Sequence, residues 1–196
     1  FQRLSFGGDL QLEDTEQAVE YALALAGLLE QDAGEPAHAF DVIALVLAET
    51  GDSIELLSRA ESLCIRTENW TSLVNILERT AALQDDEDAR SATLLRIGEL
   101  YDEILGDPAA AADAYRRLVE EDSENRRGQA ALERLLRQSG DYEAVARLLE
   151  DRLASEGGDA DLQTRLQLAD VYASQLDAPM DAIERYAEVL TLSTGD

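Results

Sequence analysis

The chain has 196 residues, 45% of them apolar but only 5% aromatic, and a formal net charge of −26 at pH 7. A field this negative repels phosphate backbones, which excludes nucleic acid as a natural ligand and makes a basic protein or peptide the electrostatically favoured partner. All 16 cations are arginines, and with three prolines and few β-branched runs the composition points to an all-helical chain whose core is Leu, Ala, Val and Ile.

The opening stretch FQRLSFGGDLQLEDTEQ pairs no basic region with an apolar one and so does not read as a signal peptide. No apolar run approaches the roughly 18 residues that span a bilayer, so no membrane insertion is expected. Positions 1–18 are read as a lead-in or as the end of a preceding repeat. The chain opens on Phe1 rather than Met, and the expectation is a segment of a longer protein, soluble in the cytoplasm or periplasm, with no targeting signal in this segment.

From there the sequence repeats itself. GEPAHAFDVIALVLAE at 34–49 lies over GDPAAAADAYRRLVEE at 106–121, an offset of 72, and ENWTSLVNILERT at 68–80 lies over GDYEAVARLLEDR at 140–152 at the same offset. Pro108 and Tyr115 recur, with an offset one shorter, as Pro179 and Tyr186. Two patterns alternate, one with Pro at the inter-helix turn and one with an aromatic there, so the unit is half of that offset. Five units follow, at about 19–53, 54–90, 91–125, 126–161 and 162–196.

Each unit carries two apolar stripes at helical spacing. Leu94, Ile97, Leu100, Tyr101 and Ile104 form one; Ala111, Ala114, Tyr115, Leu118 and Val119 form the next. Between them Gly106 suits the left-handed end of a helix, Asp107 the cap of its successor, and Pro108 the first turn, where a missing N–H costs nothing. The alanines after Pro108 predict a second helix that packs closely on the first. The array as a whole needs polar caps at its ends. None is apparent after LTLSTGD, so either more repeats follow or the bare final helix dimerises, and the exposed ends allow self-association.

These residues carry a resemblance. Ile97, Gly98 and Tyr101 match the Leu-Gly-x-x-Tyr of the tetratricopeptide repeat, and Ala111, Tyr115 and Leu118 match the small and large positions of its second helix. One extra residue sits before the turn, and Ser123 replaces the usual closing Pro. The last unit repeats the match with Leu168, Ala169, Tyr172, Ala182, Tyr186 and Val189, while Leu132, Glu133, Leu136 and Val145 keep the shape without the consensus. The resemblance covers nearly the whole chain. It implies an all-α, right-handed α-solenoid of about five hairpins, within a larger bacterial array, and a concave face made by the first helices that receives a peptide.

Candidate chemistry is sparse. The acidic runs QDDEDAR (84–90), VEEDSENRR (119–127) and EGGDADLQ (156–163) lack the ordered ligands of a calcium loop and read as solvated connectors and caps. His38, the only histidine, and Cys64, the only cysteine, cannot build a metal site, and Cys64 reads as a small core residue. The glycines of SEGGDAD (155–161) precede no Lys-Ser/Thr pair, so they form no phosphate cradle. No catalytic, cofactor or metal site is expected, and the chain reads as a non-enzyme. Trp70, placed like Tyr142 at the opening of a second helix, is expected to fill a gap between hairpins.

What remains is the first-helix face. Carrying the family's groove positions onto this chain gives Glu20, Leu23, Gly27 and Glu30 in the first unit, and Glu99, Asp102 and Glu103 in the third. It gives Arg66 in the second unit, and Arg127, Arg134 and Arg137 in the fourth. Arg134 and Arg137, three apart, are neighbours on one helical face and suited to a carboxylate. The alternative is that these arginines pair with acids of adjacent units. The lysine and asparagine clamp of the chaperone-binding members is missing. The expected function is a protein–protein interaction scaffold using the concave face, at Arg66, Glu99, Asp102, Arg127, Arg134 and Arg137. The alternative is a structural spacer or assembly arm in a large multi-repeat protein, as in long bacterial arrays tied to envelope or motility machines.

Overall fold

A short amphipathic helix buries only one side, and a succession of them solves that problem pairwise. The computed structural model describes residues 15–155 and 159–193. Most of the lead-in, Gly157, Gly158 and the final Asp196 fall outside the described residues. The helices are α1 (Thr15–Gln31), α2 (Pro36–Thr50), α3 (Ile54–Arg66), α4 (Trp70–Leu83) and α5 (Glu87–Glu99), which runs on into a π-helical segment, Leu100–Leu105. After them come α6 (Pro108–Glu121), α7 (Arg126–Ser139), α8 (Tyr142–Ser155), α9 (Asp159–Ser174) and α10 (Pro179–Ser193), with no strand among the described residues.

The chain divides into two compact units, Phe1–Leu83 and Gln84–Asp196. In the first, α1 packs on α2, α2 on α3 and α3 on α4, and α1 also reaches α3. In the second, each helix from α5 to α10 packs on the one that follows it. Contacts between sequence neighbours, rather than one shared centre, are the pattern of stacked helical hairpins.

Two kinds of turn alternate, and their difference is one residue. In the Pro-type hairpins the closing backbone bond reaches back six positions: Glu35 N–H donates to Leu29 C=O, Asp107 to Tyr101 and Ala178 to Tyr172. In the aromatic-type hairpins it reaches back five: Asn69 to Cys64 and Asp141 to Leu136. The extra residue legible before the turn is therefore accommodated by winding the end of the helix wider. At Leu100–Leu105 this becomes a full π-helical turn. It also corrects one expectation: Leu94, Ile97 and Leu100 are buried, but Ile104 is 49% exposed. A wider turn advances fewer degrees per residue, so Ile104 leaves the stripe that α-helical spacing assigns it.

The punctuation behaves as its chemistry requires. Gly106 sits at φ 65°, in the left-handed region. The Asp107 carboxylate accepts from Ala110 N–H at 3.0 Å, and Pro108 opens α6. Asp86, Asn125 and Asp141 accept from Ala89, Gly128 and Ala144 N–H groups in the same way. Part of the acidic excess thus caps helices.

α5 meets α6 at a close contact. A methyl at Gly98 would lie 2.5–2.8 Å from three atoms of the Tyr115 ring, which is itself only 3% exposed. Ala111 and Ala114 are buried at this contact's level, whereas Ala109 faces solvent. Between hairpins, Leu118 of α6 takes the equivalent place over Gly128 of α7, 2.6 Å from where a Cβ would be. Trp70 and Tyr142 are half-buried at the openings of α4 and α8.

Gly98→Ala is expected to lower the stability of its unit by about 1–3 kcal/mol, the usual cost of adding a methyl to a filled site. Gly27→Ala, in the middle of α1 with nothing within 4 Å, is expected to raise stability by about 0.5–1 kcal/mol through helix propensity. Urea unfolding of the two variants checks the pair; equal shifts would contradict the close approach.

Candidate protein-binding face

The six first-helix residues expected to meet a partner are each held in an ion pair, and each pair lies inside one of the two compact units. Arg66 of α3 reaches Glu30 of α1, and Arg59, two turns earlier on α3, reaches the other oxygen of the same carboxylate. In the second unit Arg127 of α7 pairs with Glu99 of α5 at 2.8 Å, and Arg134 of α7 pairs with Asp102 of the π-helical turn. Arg137 turns back along its own helix to Glu133 at 2.9 Å, and Arg152 of α8 reaches the second Glu133 oxygen at 3.4 Å. All six candidate residues therefore have partners inside the chain.

Depth distinguishes the two charges. The Glu30 side chain is 5% exposed beneath Arg66 at 49%, Asp102 is 16% exposed beneath Arg134 at 46%, and Glu99 is 26% exposed beneath Arg127 at 70%. The carboxylates lie inward and the guanidinium groups lie outward. In a chain with a large acid excess, these three pairs present arginine to solvent, although Glu20 and Glu103 on the same first helices are exposed as well. Glu30 Oε1 and Glu99 Oε1 are buried and sit at ion-pair distance without an aligned hydrogen bond, so the attraction there is mainly coulombic.

The charges also mark their neighbour. Burial pushes the Tyr115 hydroxyl up to about 12, with Asp102, Glu99 and Glu103 adding to the rise and Arg134 opposing it. Tyr115 thus joins the packing of the hairpin to the charged layer above it. Arg134 and Arg137 line a shallow depression of about 480 Å³ with Ala130, Glu133 and Gln138. A larger cleft of about 630 Å³, involving α6, α7 and α8, mixes Arg116, Arg147 and Arg152 with Glu120, Asp141 and Asp151. Its balance of charges selects no sign of ligand.

Arg59 and Glu133 were not among the residues singled out, although each completes a carboxylate shared by two arginines. The heptad spacing of Arg59 and Arg66 puts both on one face of α3 and is visible in the sequence. Glu133 is bracketed from α8, which helical spacing alone does not reveal. The remaining candidates sit apart from this layer. His38 lies exposed in the first turn of α2, its ring within 2.6 Å of Glu35. Cys64 is buried, and desolvation, with Glu61 adding to it, pushes its thiol up to about 11. Among the described residues no cluster of His, Cys, Asp or Glu is arranged to hold a metal ion. No helix of the described residues is long and apolar enough to cross a membrane.

The small residue under the Tyr115 ring, and the alternation of helices that it permits, are the three-dimensional form of the repeat pattern. The hairpins are tetratricopeptide-like. No protein-family model and no curated protein matches the chain. Among solved structures it is similar to MamA, at 14% identity over 83% of this chain and 91% of that one, with a TM-score of 0.43. It is also similar to YrrB, described as a TPR protein with an unusual peptide-binding site, at 15% identity over 92% and 87% of the two chains and a TM-score of 0.43. PilF of Pseudomonas aeruginosa is similar at 17% identity over 91% and 78%, with a TM-score of 0.42.

The pairing of His38 with Glu35 raises the imidazole above its ordinary 6.5, the hydrogen bond first and the charge second. Protonated His38 therefore favours the fold at pH values below 6.5, and this is lost as pH rises through the raised value. Titration of the single histidine by NMR is expected to give a midpoint above 6.5 that falls in Glu35→Gln; a midpoint unmoved by that change contradicts the contact.

Proposed function

We propose that this chain is a non-enzymatic interaction module whose first-helix face, at α5 and α7, takes a segment of a partner protein. The observation that supports the reading is the layering of charge: arginines outermost, acids beneath. Each guanidinium has five N–H donors in a planar fork, and one or two engaged with an acid below leave others directed at solvent. Arg134 and Arg137 share the shallow depression of α7, the natural seat for a carboxylate of the partner. The internal pairs need not break for this: the acids beneath are largely buried, whereas Arg134 and Arg137 remain 46% and 37% exposed above them and can meet a partner from the solvent side.

Charge acts on two scales here. At long range the net charge favours basic partners. At contact range, within a screening length of about 8 Å at physiological salt, the arginine layer decides and favours an acidic segment. The division into five units at 19–53, 54–90, 91–125, 126–161 and 162–196 belongs to this reading, as does the absence of catalytic and cofactor sites.

A second reading, the structural spacer, draws support from one specific feature: all six candidate residues already have partners in the chain. The two readings separate on a single experiment. Fluorescence anisotropy with a glutamate-rich peptide and an arginine-rich peptide is expected to show saturable binding of the acidic probe. The affinity should weaken about tenfold or more in the Arg134→Ala/Arg137→Ala double variant, since a charge-assisted contact is worth about 1.5–3 kcal/mol. No binding of either probe supports the spacer, and binding of the basic probe alone contradicts the seat on α7.

A further inference from the structure

Glu30, Glu133 and Glu188 are each shared by two arginines, but the three sites differ in what they leave open. Around Glu133 the arginines come from α7 and α8, and around Glu188 from α9 and α10, so each carboxylate is closed in from two helices. Around Glu30 both arginines come from one helix, α3. Arg59 lies against one carboxylate oxygen and Arg66 donates to the other, which holds two guanidinium groups side by side. The acid is buried, at 5% exposure, while the arginines are 32% and 49% exposed. Each planar fork has five N–H donors, more than one carboxylate oxygen can engage.

The surroundings leave room for a small ion. Ser62, three residues after Arg59 and four before Arg66, falls between them on the same side of α3 and is exposed. On α1 the residue one turn before Glu30 is Gly27, where a Cβ would meet nothing within 4 Å. Charge narrows the class of ligand. Two guanidinium groups over one carboxylate leave one positive charge in excess, which a single carboxylate neutralises. Glu55 stands one turn before Arg59 on the same face and is exposed, while Arg59 reaches across to α1. An ion carrying two negative charges would meet Glu55 as well, so the site favours a monoanion.

We propose that Arg59, Ser62 and Arg66 form a seat for one isolated carboxylate, separate from the seat on α7 and lying in the other compact unit. The two guanidinium groups then lie between two carboxylates, Glu30 on the inside and the ligand on the outside, with the Ser62 hydroxyl donating to the ligand. Buried Glu30 fixes both forks before the ligand arrives, which lowers the cost of ordering them. On α7, by contrast, Arg134 and Arg137 are held by different acids, Asp102 and Glu133. A partner's side chain and a chain terminus offer the same group to this seat.

NMR on the full chain tests this by following the Nε–H signals of Arg59 and Arg66 and the backbone amide of Ser62 while sodium acetate replaces sodium chloride at constant ionic strength. Acetate is expected to move these signals saturably, with half-saturation on the order of 10 mM. Arg59→Gln, in which Arg66 still bonds Glu30, is expected to weaken the response about tenfold or more. Ser62→Glu sets a carboxylate of the chain itself between the two arginines, and is expected to abolish the response while raising the urea midpoint. A capped peptide with one glutamate and a glycine peptide with a free C-terminus then show which source of carboxylate the seat takes. Three outcomes overturn the proposal: no saturable response to acetate, a Ser62→Glu variant that responds like the wild type, or a response to neither peptide. The Arg134 and Arg137 signals in the same spectra report on α7 separately, so either seat can fail alone.

Discussion

Helices can lie close only where one of them gives up its side chain. At Gly98 the Tyr115 ring occupies the space that a methyl would need, and this contact sets the distance between α5 and α6. Once that distance is short, Leu94 and Ile97 on one side and Ala111 and Leu118 on the other close over without water. The next hairpin docks in the same manner, Leu118 over Gly128. A small residue beneath a large one, used within a hairpin and again between hairpins, lets the second unit build its interior with little aromatic content.

The charged layer depends on that stacking. Asp102 meets Arg134 from the π-helical turn, which is where this Pro-type hairpin takes up the one residue more that it has than its aromatic-type counterpart. Placing acids beneath arginines leaves the guanidinium groups partly in solvent while Asp102 and Glu99 are largely withdrawn from it, so each carboxylate depends on its arginine. Tyr115, its hydroxyl raised first by burial and then by the acids above, is where the packing of the hairpin meets the charged layer.

Much of the fold was legible in the sequence because the relevant physics is local. Gly106, Asp107 and Pro108 each have a chemistry that suits one place at a helix junction, and each occupies that place. The apolar stripes were legible for the same reason up to Leu100, and failed at Ile104, where the helix widens. That an extra residue was present could be read from the repeat; that the helix end, rather than the loop, accommodates it depends on the backbone bond from Asp107 to Tyr101. The candidate face was legible as a set of charges but not as a layer, since helical spacing gives a side and not a depth. Arg137 shows the limit: spacing pairs it with Arg134, yet it turns along α7 to Glu133.

Stability passes from helix to helix through stacking, so a helix covered on both sides is held more firmly than one covered on one. Native-state hydrogen exchange measures this directly. Backbone amides of α2 and α3 are expected to exchange more slowly than those of α1 within the first unit, and those of α6 to α9 more slowly than those of α10 within the second. Amides of every helix in a unit losing protection at one common rate would mean a single shared core, and would contradict it.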